Sequence, residues 1–453
     1  MPFGVSWIGR LAAAAALALS TSAACATPYL VADADSGQVL IEKESTEIWY
    51  PASLTKLMTV YVALDAVRAG RLTMDTPLVV SARAASQAPS KMGFRPGTEV
   101  TLDNALKMLM VKSPNDTAVT VAEGVSGSVE AFAAEMNAEA HKIGLHESHF
   151  VNPNGLHNPE HYSSARDMAM IARALLREFP ERAGLFDIGE LQLGSQIIRN
   201  HNGLLGRYPG ADGMKTGFTC PAGFNVVATA NHYGRRLITV VLGMPSTRLR
   251  NQEAADLFDR GFAMGGGSGS LDSLPSAGGG PPNSRANVCL HRGAAAIAAE
   301  EDEGAEEQTS AGSGGRGGGA IAAVAASGAP TRTVLSDERP QFDPVPVFIG
   351  PVAGWNGPVL GPRNTSAVAE APSGAKAYAG DQPDAIDSAS ATGEPNAPRA
   401  LQTVVRTPPA EHKHHLKPVR HGATAKASAK TPKTAEAAKA DPVTPPPKPP
   451  GDQ

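Results

Sequence analysis

The chain has 453 residues, a formal net charge of -4, 47 glycines and 37 prolines. That charge offers no basic field for nucleic acid, and so much Gly and Pro, concentrated in the second half, excludes a chain packed throughout. Residues 28–262 nevertheless carry apolar periodicity over a length ample for a sizeable core.

Taken in order, the chain opens with Arg10, the apolar run "LAAAAALALS" and the small residues Ala24, Cys25 and Ala26. This pattern reads as a secretory signal over 1–26, cleaved after Ala26. A lipoprotein signal built on Cys25 is set aside because Ser22 stands where such signals carry Leu. No later segment has the roughly 20 consecutive apolar residues of a membrane helix, so an exported protein, periplasmic or wall-associated, is expected. With Cys25 removed, Cys220 and Cys289 remain; an oxidising compartment would let them pair, but the chain does not read as a disulfide scaffold and two unpaired thiols are the favoured reading.

"PYLVADADSGQVLIEK" alternates about a turn and predicts a hairpin. A helix is expected over 53–69, with Leu57, Tyr61 and Leu64 on one stripe. Further helices are expected over 102–111, 116–124, 129–143 and 165–179, the last with Ser164 and Asp167 as a capping box. From Gly210 the pattern turns to strands in "GMKTGFT", "FNVVATAN" and "RRLITVVLG", followed by a helix over 252–262. The implied fold class is α/β of the α+β kind: an antiparallel sheet built from both chain ends, covered by a helical cluster.

Residues 264–453 hold four aromatics (Phe342, Phe348, Trp355 and Tyr378) amid Gly, Ser and Ala runs, the acidic "EEDEGAEE" and a Pro/Lys-rich end. They read as a disordered tail. One apolar island, "PVPVFIGPVAGWNGPVLGP" over 344–362, reads as an extended linker or as a motif docking on a partner or on the catalytic domain. The histidine-bearing "HKHHLKPVRH" reads as a solvated tail rather than a site for metal or lipid.

Three short stretches carry chemistry. In "YPASLTKLMTVY", Ser53 and Lys56 lie three apart on one helical face, so a hydroxyl and an amine meet. A serine becomes nucleophilic beside a base, and a lysine serves when it is neutral. Taken by itself the pair is a chance-level motif. "VKSPNDTAV" adds Ser113 and Asn115 at a helix boundary, and "DGMKTGFT" adds Lys215, Thr216 and Gly217 on a strand, where a cation and a hydroxyl suit a carboxylate. "HESH" has the wrong spacing for a zinc helix, and no metal or cofactor is expected.

This ordered trio, with "NPNGLHN", "YSSARDMAMIARAL" and "GMKTGFTCPAGFNVVATA", resembles the D-alanyl-D-alanine carboxypeptidase family of low-molecular-mass penicillin-binding proteins over 28–262. The resemblance implies a β-lactamase/transpeptidase-like fold over 27–263 and peptidoglycan stem peptides as substrate, with β-lactams as covalent inhibitors. It also implies that Ser53 is the nucleophile and Lys56 its proton acceptor. Ser113 would relay a proton to the leaving D-alanine and Asn115 would orient the substrate amide. Lys215 and Thr216 would hold the carboxylate, the backbone N–H groups of Ser53 and Phe218 would form the oxyanion hole, and Arg250 would add positive charge. Gly217 would let the substrate strand approach closely, and the loop 152–156 would brace the site.

Two departures stand out. Pro114 replaces the usual glycine of the middle motif, and nothing after 262 reads as the second domain and membrane-binding helix of many relatives. A DD-endopeptidase shares the trio, as does a β-lactamase, but no Glu-x-x-x-Asn loop for deacylation stands between Asn115 and Lys215. A wall-binding scaffold acting through a tail partner is the rival from another class.

Overall fold

Alternation in "YLVAD" and "VLIEK" gives strands β1 (Tyr29–Asp33) and β2 (Val39–Lys43), the expected hairpin. A short turn of 3₁₀ helix, Ala52–Leu54, leads into α1 (Thr55–Arg68), whose buried residues include Leu57, Tyr61 and Leu64. Next come β3 (Pro77–Val79), the one-turn α2 (Ala82–Ala85) and β4 (Glu99–Thr101). Helices α3 (Leu102–Val111), α4 (Asn115–Ser126), α5 (Val129–Ile143) and α6 (Ala165–Glu178) follow. The hairpin β5 (Glu190–Leu193) and β6 (Gln196–Arg199) precedes the long strands β7 (Ala211–Thr219), β8 (Gly223–His232) and β9 (Arg235–Met244). Helix α7 (Thr247–Ala263) and a late strand, β10 (Val345–Val347), complete the series. The computed structural model describes residues 27–284, 288–290, 332–335, 338 and 340–362. The chain divides into two units, Met1–Gly380 and Asp381–Gln453, and every described residue lies in the first.

The five long strands form one antiparallel sheet in the order β2-β1-β9-β8-β7, so both ends of the domain meet in it as expected. Its two faces sort by alternation. Leu30, Ala32, Ile238, Val240 and Leu242 join the large core with α1 and α3–α6, while Val31, Leu237 and Val241 join a second core with Ala254, Leu257 and Phe258 of α7. Each wholly buried Leu or Phe contributes roughly 1.5–3 kcal/mol.

Helices over 102–111 and 129–143 have the bounds their periodicity predicts, because Thr101 and Ser128 cap them locally. Helix α7 begins five residues earlier than predicted, where the Ser246 hydroxyl accepts from Leu249 N. The predicted capping box of α6 is only half made. Ser164 Oγ accepts from Asp167 N at 3.1 Å, but the Asp167 carboxylate serves Glu147 N, Ser148 Oγ and Arg166 instead.

The segment after 263 departs from expectation in two ways. Cys220 and Cys289, read as unpaired, form a disulfide with Cα atoms 5.6 Å apart. Segment 281–284 lies beside the β7–β8 turn, Ser284 N donating to Pro221 O, and this brings the two cysteines together. Part of the tail read as disordered is also ordered, and the island at 344–362 docks on the catalytic domain. β10 adds a parallel strand to β5 and buries Val347 in the large core. Upstream, Thr333 Oγ1 donates to Asp259 Oδ1 at 2.9 Å and Arg332 pairs with Asp256 on α7. Residues 1–26, read from the sequence as a secretory signal, the acidic stretch 300–307 and the histidine-bearing stretch 412–421 lie outside the described residues. Among the described residues no helix is long and apolar enough to cross a membrane.

Candidate active site

Ser53 sits in the 3₁₀ turn ahead of α1, one residue after Ala52, whose φ is +49°. Such a left-handed alanine is sterically costly and needs its surroundings to hold it. Three neighbours do so. Asn225 of β8, wholly buried, donates to Tyr50 O at 3.0 Å and Pro51 O at 3.2 Å. Gly217 of β7 lies so close that a Cβ there would stand 2.9 Å from Ser53 N and 3.0 Å from Leu54 N, which is why this strand carries glycine. Gly155, at φ +79°, faces the Ala52 carbonyl, which a Cβ would overlap.

One helical turn on from Ser53, the Lys56 side chain is wholly buried. Its Nζ meets Ser53 Oγ at 2.9 Å, Asn115 Oδ1 at 2.8 Å and the carbonyl of Asn154 at 2.8 Å. Asn115 opens α4 with Pro114 as its N-cap. Its Nδ2 donates to the carbonyls of Ala88 (3.0 Å) and Pro89 (3.1 Å), so both amide protons are taken and only the oxygen faces Lys56. The substrate-orienting role expected of Asn115 is thus confined to that oxygen. Ser113, at φ +60°, is buried, and among the described residues its Oγ has no hydrogen-bond partner.

Lys215 and Thr216 are buried on β7, the Lys215 ammonium donating to Thr216 O at 2.7 Å. Phe218 follows Gly217 and stacks on Phe224, ring centroids 4.2 Å apart. Arg250, in the first part of α7, is buried and bonds Asn251 Oδ1 at 3.0 and 3.1 Å. Lys56 therefore joins Ser53 and Asn115 directly, and Gly217 abuts the serine turn.

Sequence reading passed over several residues that build this site. His201 lies where the fields of Lys112, Lys215, Arg250 and Lys56 converge. Burial first, then those cations, pushes its pKa down to about 3. Lys112, Lys215 and Arg250 thus share one neighbourhood, which favours an anionic ligand. His161 receives Val151 N at Nδ1 (3.1 Å), so its Nε2–H donates to Thr55 Oγ1 (2.8 Å) in the first turn of α1. Burial, followed by the charges of His149, His157 and Lys56, pushes its pKa down to about 3 as well. The loop 152–156 braces the site as expected: Pro153 O accepts from Thr59 Oγ1 at 2.6 Å, and Asn154 Nδ2 donates to Gln87 Oε1 at 2.9 Å. Asn225 and Gln87 carry no signal in the sequence, since each acts through a tertiary contact.

Comparisons with known proteins give the family. The family model for peptidase S11, D-alanyl-D-alanine carboxypeptidase, matches residues 15–246. The D-alanyl-D-alanine carboxypeptidase DacF of Bacillus subtilis is 37% identical over 234 residues, covering 51% of this chain and 60% of the relative. DacB2 of Mycobacterium tuberculosis is 34% identical over 253 residues, covering 53% of this chain and 83% of the relative. Among solved structures, penicillin binding protein 5 of Haemophilus influenzae matches with a TM-score of 0.51 at 36% identity, covering 52% of this chain and 70% of that one. This chain spans 60% of DacF and 61% of the Escherichia coli DacC, so the likeness covers only part of the length of those relatives. By the extent of the family match and the level of identity, the chain belongs to the D-alanyl-D-alanine carboxypeptidase family.

Proposed function

We propose that this protein is a serine-type D-alanyl-D-alanine carboxypeptidase that removes the terminal D-alanine from peptidoglycan stem peptides through an acyl-enzyme on Ser53. The observation that carries the reading is the set of contacts at Lys56 Nζ. Asn115 Oδ1 and Asn154 O, both within hydrogen-bond distance of it, are carbonyl oxygens that can only accept. In the neutral state proposed for Lys56 these two take its N–H bonds, and its lone pair is then directed at Ser53 Oγ, 2.9 Å away. The serine hydroxyl then donates to Lys56, which makes Lys56 a general base and Ser53 a nucleophile.

In this reading Ser53 Oγ attacks the carbonyl of the penultimate D-alanine while its proton passes to Lys56. The C–N bond then breaks, and the departing amine takes a proton from Lys56 by way of Ser113, whose unpartnered buried hydroxyl suits a relay. Water next attacks the ester, giving up its proton to Lys56, and the Ser53–acyl bond breaks as the proton returns to the serine. Backbone N–H groups of Ser53 and Phe218 receive the developing oxyanion, and Lys215 with Thr216 receives the substrate carboxylate, Arg250 adding charge. The same acylation by a β-lactam makes the protein penicillin-binding. Residues 1–26 act as an export signal, the catalytic domain begins at 27, and the protein works in the periplasm or at the wall.

D-alanine release from an N-acylated peptide ending in D-Ala-D-Ala tests the activity. Wild type is expected to release one D-alanine per peptide, and Ser53→Ala to be slower by at least about a thousandfold. Release by Ser53→Ala within tenfold of wild type would overturn the assignment. Cleavage of cross-linked dimers in preference to free stem peptides would make it an endopeptidase.

A further inference from the structure

Residues 344–362 do more than cover a surface, because of where they pair. Gly350 lies alongside Val100 of β4 and Leu360 alongside Leu78 of β3, and those two residues are themselves cross-strand partners. The strap therefore runs along both outer edges of the β3–β4 hairpin and crosses from one to the other through 351–359. Gly350 N donates to Glu99 O at 2.6 Å, Leu360 N to Pro77 O at 2.9 Å, and Val79 N to Leu360 O at 2.8 Å. At the crossing, Trp355 packs so tightly on Gly357 that a Cβ there would stand 2.6 Å from the indole. On the incoming side Val347 is seated in the core, and buried Asn104 in the first turn of α3 donates to Phe348 O at 3.0 Å.

Each rail of that hairpin leads into the site. β4 passes without a break into α3, which ends at Lys112, next to Ser113. β3 passes through α2 into a loop whose Ala88 and Pro89 carbonyls hold Asn115 Nδ2 and whose Ser90 carbonyl accepts from Asn115 N at 2.7 Å. From the same loop Ser90 Oγ donates to Lys112 O, and Gln87 receives Asn154 Nδ2. A two-stranded ribbon with three residues per strand is marginal by itself. Single bridges at Gly350 and Leu360, one on each edge, add backbone pairing to it.

We propose that the strap 344–362 is a positioning element for the wall of the site that carries Ser113 and Asn115. It fixes the hairpin from which both the helix before Ser113 and the loop behind Asn115 depart. This rests on the roles given to those residues above. The strap touches neither of them and acts through α3 and the 86–93 loop.

Full-length Val347→Asp and the milder Val347→Ala test it. Hydrogen exchange at the Val79 amide, which donates to Leu360 O, reports whether the strap has opened. With the circular dichroism of wild type retained, opening is expected to slow acylation by a labelled penicillin at least tenfold in Val347→Asp. It is also expected to lower kcat for D-alanine release with KM within twofold, because Ser113 and Asn115 serve the chemical step. A peptide of residues 340–362 added to Val347→Asp should restore part of the rate. Faster Val79 exchange with unchanged acylation would overturn the proposal, as would unchanged exchange in both variants. If Val347→Asp does not fold, Val347→Ala is judged by the same pair of readouts. Absence of any penicillin adduct in wild type would count against the active-site reading, while the exchange data would still judge the seating of the strap.

Discussion

Lys56 Nζ lies within hydrogen-bond distance of Ser53 Oγ, Asn115 Oδ1 and Asn154 O, and of these three oxygens only the serine hydroxyl can also donate. That is the physical content of a Ser–Lys pair, and residue spacing alone could not supply it. Spacing placed Ser53 and Lys56 on one face, but the carbonyls of Asn154, Ala88 and Pro89 that orient the pair come from segments without a side-chain signature. His161 gives this neighbourhood a pH dependence. Its folded pKa of about 3 lies below the ordinary value near 6.5, so unfolding takes up a proton at any pH between the two. Its contribution to stability is complete above about pH 6.5 and is lost as pH falls towards 3, at about 1.4 kcal/mol per pH unit. Buried His201, lowered in the same way, adds a slope of the same sign, so denaturant titrations at pH 7, 6 and 5 are expected to show the combined slope in wild type and a shallower one in His161→Gln. Equal slopes would remove His161 from the acid response.

Helix α6 shows how an element can be legible while its linkages are not. Its periodicity and its Ser164 cap are local, so its start could be read directly. The Asp167 carboxylate, assigned by pattern to the cap, instead receives Glu147 N at 2.8 Å and Ser148 Oγ at 2.7 Å, and pairs with Arg166 at 2.7 Å. Arg166 in turn reaches Gly144 O and Leu271 O, so α6 ties the 144–148 turn to the segment after α7. Removing one partner of a buried pair leaves a charge unpaired, and Asp167→Ala is expected to cost about 3–5 kcal/mol in urea unfolding. A loss under about 1 kcal/mol would mean that the turn is held by other contacts. The three-residue strands β3, β4 and β10 escaped sequence reading for a related reason. Each is too short to show alternation, and each is defined by its neighbour rather than by its own residues.

The five-stranded sheet and its helical cover were legible because both depend on long, regular apolar patterns, and the family likeness lies in the same stretch. The covering made by residues after 263 was not, since Gly- and Pro-rich sequence has no periodicity and its contacts are all long-range. The Cys220–Cys289 disulfide belongs to that covering, joining the end of β7 to a segment 69 residues later. Closing a loop of that length restricts the unfolded chain by up to about 4 kcal/mol. Reductant is therefore expected to lower the denaturation midpoint of wild type to that of Cys220→Ser/Cys289→Ser and to leave the double variant unchanged. Insensitivity of wild type to reductant would show that the bond contributes nothing.

The central claim is that Ser53, activated by Lys56, forms a covalent acyl-enzyme. Intact-mass and peptide-mapping mass spectrometry of the full-length protein after brief exposure to benzylpenicillin tests it most directly. The expected result is one adduct of the whole penicillin mass on the peptide containing Ser53, persisting for many minutes and missing from Ser53→Ala. An unmodified wild-type protein, or an adduct of equal yield in Ser53→Ala, would contradict the account.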